Sequence, residues 1–206
     1  MRFDKKNHWE GVYTKKIPAE VSWYQLEPAI SLKLITSAGI SLAAKIIDVG
    51  GGASVLVDKL TGQGFQDLTV LDVSPKALEY AKERLGSRAG AVKWIEADVT
   101  EFESPEKYDL WHDRAVFHFL TKAEDRQKYV RFLHRALKKN GHVIIATFDL
   151  DGGSLRCSGL DIMRHNAETL QTELGEGFQL VESVKEVHHT PFQTEQKFIY
   201  CHFQRV

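Results

Sequence analysis

The residues Ile46-Ile47-Asp48-Val49-Gly50-Gly51-Gly52-Ala53-Ser54 run from an apolar stretch into three glycines and then into a helical pattern. Glycines at such a turn let the backbone bend tightly and come close to a ligand, and the helix start behind them offers unsatisfied N–H groups. The spacing narrows the choice of ligand. Counted from Gly50, the third glycine of a dinucleotide fingerprint would fall on Val55; counted from Gly51, the second would fall on Ala53. A Walker loop needs Gly-Lys-Ser/Thr after its spacer, and no such run occurs. Pyrophosphate grips are therefore disfavoured. Two acids follow at the ends of the next two apolar runs. Asp72, in Val70-Leu71-Asp72-Val73-Ser74, stands where a carboxylate accepts both hydroxyls of a ribose. Asp98, in Glu96-Ala97-Asp98-Val99-Thr100, stands where a carboxylate accepts from an adenine amino group.

These residues need a frame. From about residue 34, short apolar runs (44–49, 68–73, 92–97, 108–112 and 142–148) alternate with helical patterns. Ser74-Pro75 reads as an N-cap followed by proline at the first helical position, Leu78, Ala81 and Leu85 share a face, and Gly86 ends the helix. Thr121 to Glu124 has a capping-box pattern, with Glu124 and Asp125 early and Lys138 and Lys139 late, which predicts a helix closed by Asn140-Gly141. Strands alternating with helices, and apolar on both faces, form a parallel sheet covered on both sides. The last two runs, 178–189 and 195–204, have only a short loop between them and must pair antiparallel. The expected fold is a doubly wound, mostly parallel α/β sheet ending in an antiparallel hairpin. Residues 1–33 carry Trp9, Tyr13, Trp23 and Tyr24 without a strong period and read as an aromatic arm over a core of residues 34–206, the whole forming a single domain.

Composition excludes several classes. Hydrophobic residues at 43% and charged residues at 27% rule out a disordered or fibrous chain. A formal charge of −1 supplies no field for polyanions, so neither nucleic acid nor a membrane surface is an expected partner. No stretch approaches the ~18 apolar residues of a membrane span, and no signal peptide is evident, so the expected location is cytoplasmic. Cys157 and Cys201 are expected to be buried free thiols. His188 and His189 point to opposite faces of a strand and cannot share a metal, no spaced ligand set occurs, and no metal is expected.

Asp48 to Gly52, then Asp72, Asp98 and Tyr108-Asp109-Leu110-Trp111 in series, resemble the class I S-adenosylmethionine-dependent methyltransferases over residues ~40–150. That family has a seven-stranded sheet, which the terminal hairpin matches. The resemblance implies that Gly50 and Gly52 lie under the methionine part of S-adenosylmethionine, that Asp72 with Val73 binds the ribose, and that Asp98 with Val99 binds the adenine. It further implies that Asp48 organises the loop and the amino end of the cofactor. Ser54 stands where many members have a third glycine and is expected to cap the following helix.

In open α/β sheets the ligand sits beyond the carboxyl ends of the strands, so His112-Asp113-Arg114-Ala115-Val116-Phe117-His118-Phe119-Leu120 should line the crevice. The resemblance puts Asp113 near the methionine end and His118 near the substrate, with His118 or His112 as the base where one is needed. Trp9 and Trp23 look like an arm that folds over the cofactor. Tyr24, Arg114 and Arg156 are the substrate-facing candidates, Arg156 from a glycine-containing loop over 149–160. The expected activity is methyl transfer to a small molecule. The alternative acceptor is a protein lysine, a group with which the tryptophan-tyrosine arm and Asp113-Arg114 share a looser likeness. A pocket shut by Trp9, Trp23 and the 149–160 loop marks a small acceptor, whereas an open acidic groove marks lysine. A silent cofactor-binding module and a nucleotide-dependent oxidoreductase are the rival classes.

Overall fold

The computed structural model describes residues 3–206. In chain order the elements are α1 (Lys5–Lys15), α2 (Ala29–Ser37), β1 (Lys45–Val49), α3 (Leu56–Gly62), β2 (Asp67–Asp72), α4 (Pro75–Leu85), β3 (Val92–Glu96), β4 (Tyr108–Arg114), α5 (Ala123–Ala136), β5 (Leu137–Phe148), β6 (Arg156–Cys157), β7 (Leu160–Asp161), α6 (Ala167–Leu174), β8 (Phe178–His189) and β9 (Glu195–Arg205). Seven strands form one sheet in the order β3-β2-β1-β4-β5-β9-β8. The first five are parallel, and β9 runs antiparallel to both β5 and β8. Strand order reverses at β1 and β4, so a crevice opens beyond their carboxyl ends.

The two faces of the sheet follow from the two-residue period of its strands. Ile46, Leu110, Ile144 and Tyr200 pack with Leu34, Leu56 and Leu78 from α2, α3 and α4 on one face. Ile47, Trp111, Val143 and Phe203 pack with Tyr129, Leu133 and Leu170 from α5 and α6 on the other. Helix α4 is built as the sequence reads: Ser74 Oγ accepts from Ala77 N, Pro75 opens the helix, and Gly86 closes it with φ +58°.

Two expectations about α5 are corrected. Thr121 does not cap it: Lys122 holds the N-cap position without a side-chain bond. The carbonyls of Leu120 and Thr121 instead accept from the Arg126 guanidinium. The helix also stops at Ala136, not near Asn140, because Leu137 is buried as the first residue of β5. Lys138 is drawn away from any helix dipole to Asp109, at 2.8 and 2.9 Å.

Residues 3–28 lie outside the sheet and are tied to it at points far apart in sequence. Arg114 donates to the Trp23 carbonyl, Gln25 donates to Glu186, and His188 Nε2 lies 2.8 Å from the Ser22 carbonyl. Among the described residues no helix is long and apolar enough to cross a membrane, and no group of three or more His, Cys, Asp or Glu side chains could hold a metal. Both thiols are free and buried.

Candidate active site

The glycine turn joins β1 to α3 and makes the floor of the site. Gly50 has φ +67°, and a Cβ there would fall on Val116 Cγ2, so glycine alone fits without strain. Its N–H donates to the Leu71 carbonyl at 2.7 Å, which fixes the turn against β2. A Cβ on Gly52 would run into the Asp72 carboxylate and Ala77. The structure therefore gives the grouped glycines separate roles. Gly50 and Gly51 line cavities, whereas Gly52 is packed away and gives Asp72 its space. Ser54 Oγ accepts from Leu56 N at 3.2 Å, one residue ahead of the N-cap Val55.

Asp48 shares a face with His112 on the neighbouring strand. Its Oδ1 lies 2.7 Å from His112 Nδ1, and His112 Nε2 reaches Ser31 Oγ of α2 at 2.9 Å. Both ring nitrogens are thus engaged. Asp48 Oδ2 is buried without a partner, and Asp48 borders a side cavity lined also by Gly50, Gly51, His112, Arg114, Trp23 and Tyr24.

Asp72 and Asp98 occupy one wall of the main cavity with Val73 and Val99. Asp72 Oδ1 accepts from Ser74 N at 2.8 Å. Burial pushes its carboxyl up to about 7, with the nearby Asp48 and Glu10 adding to the rise and N–H groups of Ser74 and Val73 opposing it. Asp98 differs. Burial works against its charge, but Lys5 Nζ at 2.9 Å and the Thr100 N–H and hydroxyl outweigh that and hold it below the usual carboxylate range.

The roof is aromatic. The Trp9 ring meets Trp23 at 5.7 Å and Phe119 at 5.1 Å, both edge-on, and Tyr13 meets Trp23 at 6.3 Å. Below it lies a largely apolar cavity of about 840 Å³ counting the open solvent at its mouth. Its far end is made by Arg114, Phe148, Phe198 and Cys157. Burial pushes the Cys157 thiol up, so at neutral pH it is not a thiolate nucleophile.

Several candidates read from the sequence lie elsewhere. His118, expected beside the substrate, is fully buried against Phe119 and Phe148 and is absent from the cavity wall. Neither ring nitrogen has a partner, and burial, with His165 and Arg114 adding, pulls its pKa down to about 3. Asp113, expected near the methionine end, points through the sheet to the opposite face. There it accepts from Tyr129 Oη at 2.7 Å and Val116 N at 2.9 Å, and burial lifts it to about 6. Arg156, expected to meet substrate, faces solvent. It pairs with Asp161 at 3.2 Å across the β6–β7 ribbon, while the next residue, Cys157, turns inward. Tyr24 lines the side cavity but not the main one. The cavity wall also holds Lys5, Phe148 and Phe198, which the sequence does not single out as site residues. Phe148 is legible as the last apolar residue before the fifth-strand loop; Lys5 carries no such signal.

Residues 47–143 match a sequence family described as a methyltransferase domain. Nodulation protein S of Rhizobium tropici is 30% identical over 114 residues, which cover 55% of this chain and 47% of that protein. The human EEF1A lysine methyltransferase 2 is 25% identical over 198 residues, covering 87% and 76% respectively. Among solved structures, the N-methyltransferase NodS from Bradyrhizobium japonicum WM9, in complex with S-adenosyl-L-homocysteine, superposes with a TM-score of 0.69 over 98% of this chain and 99% of that one at 19% identity. The chain spans from a fifth to about half the length of the first curated relatives it matches. The chain thus matches a methyltransferase domain over residues 47–143 and shares its fold with solved S-adenosylmethionine-dependent methyltransferases.

Proposed function

We propose that this chain methylates a small acceptor held at the Arg114–Phe148–Phe198 end of the main cavity, with residues 3–33 as a lid over a single domain core of residues 34–206. The observation that carries the reading is convergence: Asp72, Asp98, Gly50, Trp9 and Trp23, from five separate segments, line one cavity.

The residues present fit S-adenosylmethionine. Asp48 Oδ2 is a buried carboxylate oxygen in want of a donor, which an ammonium supplies. Gly50, with its left-handed backbone and no side chain, borders both cavities and lets the ligand approach the main chain. When bound, the cofactor supplies a methyl group already activated on a sulfonium. What remains for the protein is alignment and exclusion of water. Asp72 accepts from the ribose hydroxyls, Asp98 with Lys5 frames the adenine, and Trp9 and Trp23 close the site. Alignment of this kind lowers a barrier by up to ~7–11 kcal/mol.

Among the described residues, the main cavity's wall at the acceptor end carries neither an imidazole nor a carboxylate; His112 and Asp48 meet Arg114 only in the side cavity. That favours an acceptor whose reacting atom is unprotonated at working pH, so no base is required. His118 and His112 are not assigned that role. A lysine acceptor is the second reading, supported by the lysine methyltransferase relative. Against it stands Arg114, which repels an incoming ammonium, where an acidic groove would be needed.

The test is transfer of label. Purified protein with methyl-labelled S-adenosylmethionine is incubated with the small-molecule and protein fractions of a cell extract. Label in the small-molecule fraction is expected. Label on protein lysine overturns the acceptor class, and no transfer with firm cofactor binding marks a silent binding module.

A further inference from the structure

Arg114 is a cation held in place without an anion. Its Nε donates to Tyr200 Oη at 2.9 Å and its Nη1 to the Trp23 carbonyl at 2.9 Å, and the guanidinium lies 4.9 Å from the centre of the Phe198 ring. Nη2 is buried with no partner. Among the described residues no carboxylate forms an ion pair with it. Glu186 is one bond removed, accepting from Tyr200 Oη at 2.9 Å. Buried guanidinium groups are ordinarily paired, and their planar fork is matched to a carboxylate.

The position of the group tells which ligand it serves. Asp72 and Asp98 lie at the ends of β2 and the β3 turn, on one side of β1. Arg114 ends β4 on the other side, where Phe148 of β5 and Phe198 of β9 complete an apolar wall. We propose that Arg114 docks a carboxylate carried by the methyl acceptor, so that the acceptor is a small organic acid with an apolar body. This rests on the methyltransferase reading above and names its substrate class. Three fixed contacts hold the fork rigid before the acid arrives, so little rotamer entropy is lost on docking. Truncating the charge would leave Tyr200 Oη and the Trp23 carbonyl short of a donor, which is why a charge-keeping variant belongs in the test.

The experiment uses the protein saturated with S-adenosylhomocysteine and measures binding calorimetrically. The probes are phenylacetate and indole-3-acetate, each beside its uncharged amide. The wild type is expected to bind at least one acid tenfold or more tightly than its amide, Arg114→Lys to keep part of that preference, and Arg114→Met to erase it. Acids bound no better than amides by the wild type overturn the proposal, even where Arg114→Met fails to fold. If Arg114→Met instead weakens S-adenosylhomocysteine tenfold and the wild type shows no acid preference, the guanidinium serves the cofactor's own carboxylate and the proposal falls. Absence of S-adenosylhomocysteine binding by the wild type takes down the methyltransferase reading itself, a result distinct from either.

Discussion

Lys5 Nζ lies 2.9 Å from Asp98 Oδ2 and 3.2 Å from Oδ1, so the first turn of α1 lands on the acid beyond β3. The same helix pairs Lys6 with Glu96, and Glu10 Oε2 accepts from Ser74 Oγ at 2.7 Å and Lys76 N at 3.2 Å, at the start of α4. The segment that roofs the cavity is thus fastened beside the two acids on its wall.

If those contacts hold the roof, Glu10→Ala removes a carboxylate from the N-terminus of α4 and lowers stability by about 1 kcal/mol. Protease cleavage within residues 5–15 should increase, and Lys5→Ala should add to it. Unchanged melting and cleavage in the double variant would mean that the aromatic packing alone holds the segment.

Asp72→Asn should weaken S-adenosylhomocysteine binding while stabilising the empty protein. Hydrogen bonds to a charged acceptor are worth ~1.5–3 kcal/mol each, so a loss of tenfold or more is expected. The stability effect follows from the raised carboxyl. With a pKa of about 7 folded and ~3.9 unfolded, the native state binds the extra proton, so wild-type stability falls as pH rises from about 4 to 7 and stays reduced above. The asparagine variant lacks that fall and should melt higher than wild type at pH 8. A lower melting point there would show that the native carboxylate is better satisfied than its burial implies.

His118→Phe should keep turnover and flatten the acid limb of stability. The imidazole is neutral in the fold, with a pKa of about 3, but takes a proton near 6.5 when unfolded. Wild type therefore loses stability as pH falls from about 6.5 to 3, and a phenylalanine in the same aromatic nest does not. Loss of turnover with S-adenosylhomocysteine binding and melting intact would return His118 to the reaction.

Gly50→Ala should abolish cofactor binding and cost a few kcal/mol, from left-handed backbone strain and overlap with Val116. Gly11→Ala is the contrast. Gly11 sits inside α1 with open space where a Cβ would go, so alanine should stabilise by up to about 1 kcal/mol. Equal behaviour of the two variants would contradict the geometry of the turn.

How far the sequence can be read depends on the range of the forces involved. The strands, the glycine turn, the Ser74 cap and the terminal hairpin rest on local periodicity and backbone chemistry, and they are legible. Ending the fourth strand at His112 puts Asp113 and Arg114 together in one crevice. The strand runs on to Arg114, and the two-residue period then sends Asp113 through the sheet to Tyr129 and leaves Arg114 on the cavity. That alternation is present in the sequence once the strand is given its full length. The end of α5 is not legible, since Lys138 answers to Asp109 on another strand. Nor is Lys5, whose partner lies 93 residues away.

The central claim is that this cavity takes S-adenosylmethionine through Asp72. The most direct measurement is calorimetric titration of the wild type and Asp72→Ala with S-adenosylmethionine and S-adenosylhomocysteine, with NAD as control. One-to-one micromolar binding of both adenosyl compounds, no binding of NAD, and a loss of tenfold or more in Asp72→Ala are the predicted results. Failure of both adenosyl compounds to bind, a preference for NAD, or an unchanged affinity in Asp72→Ala would contradict it.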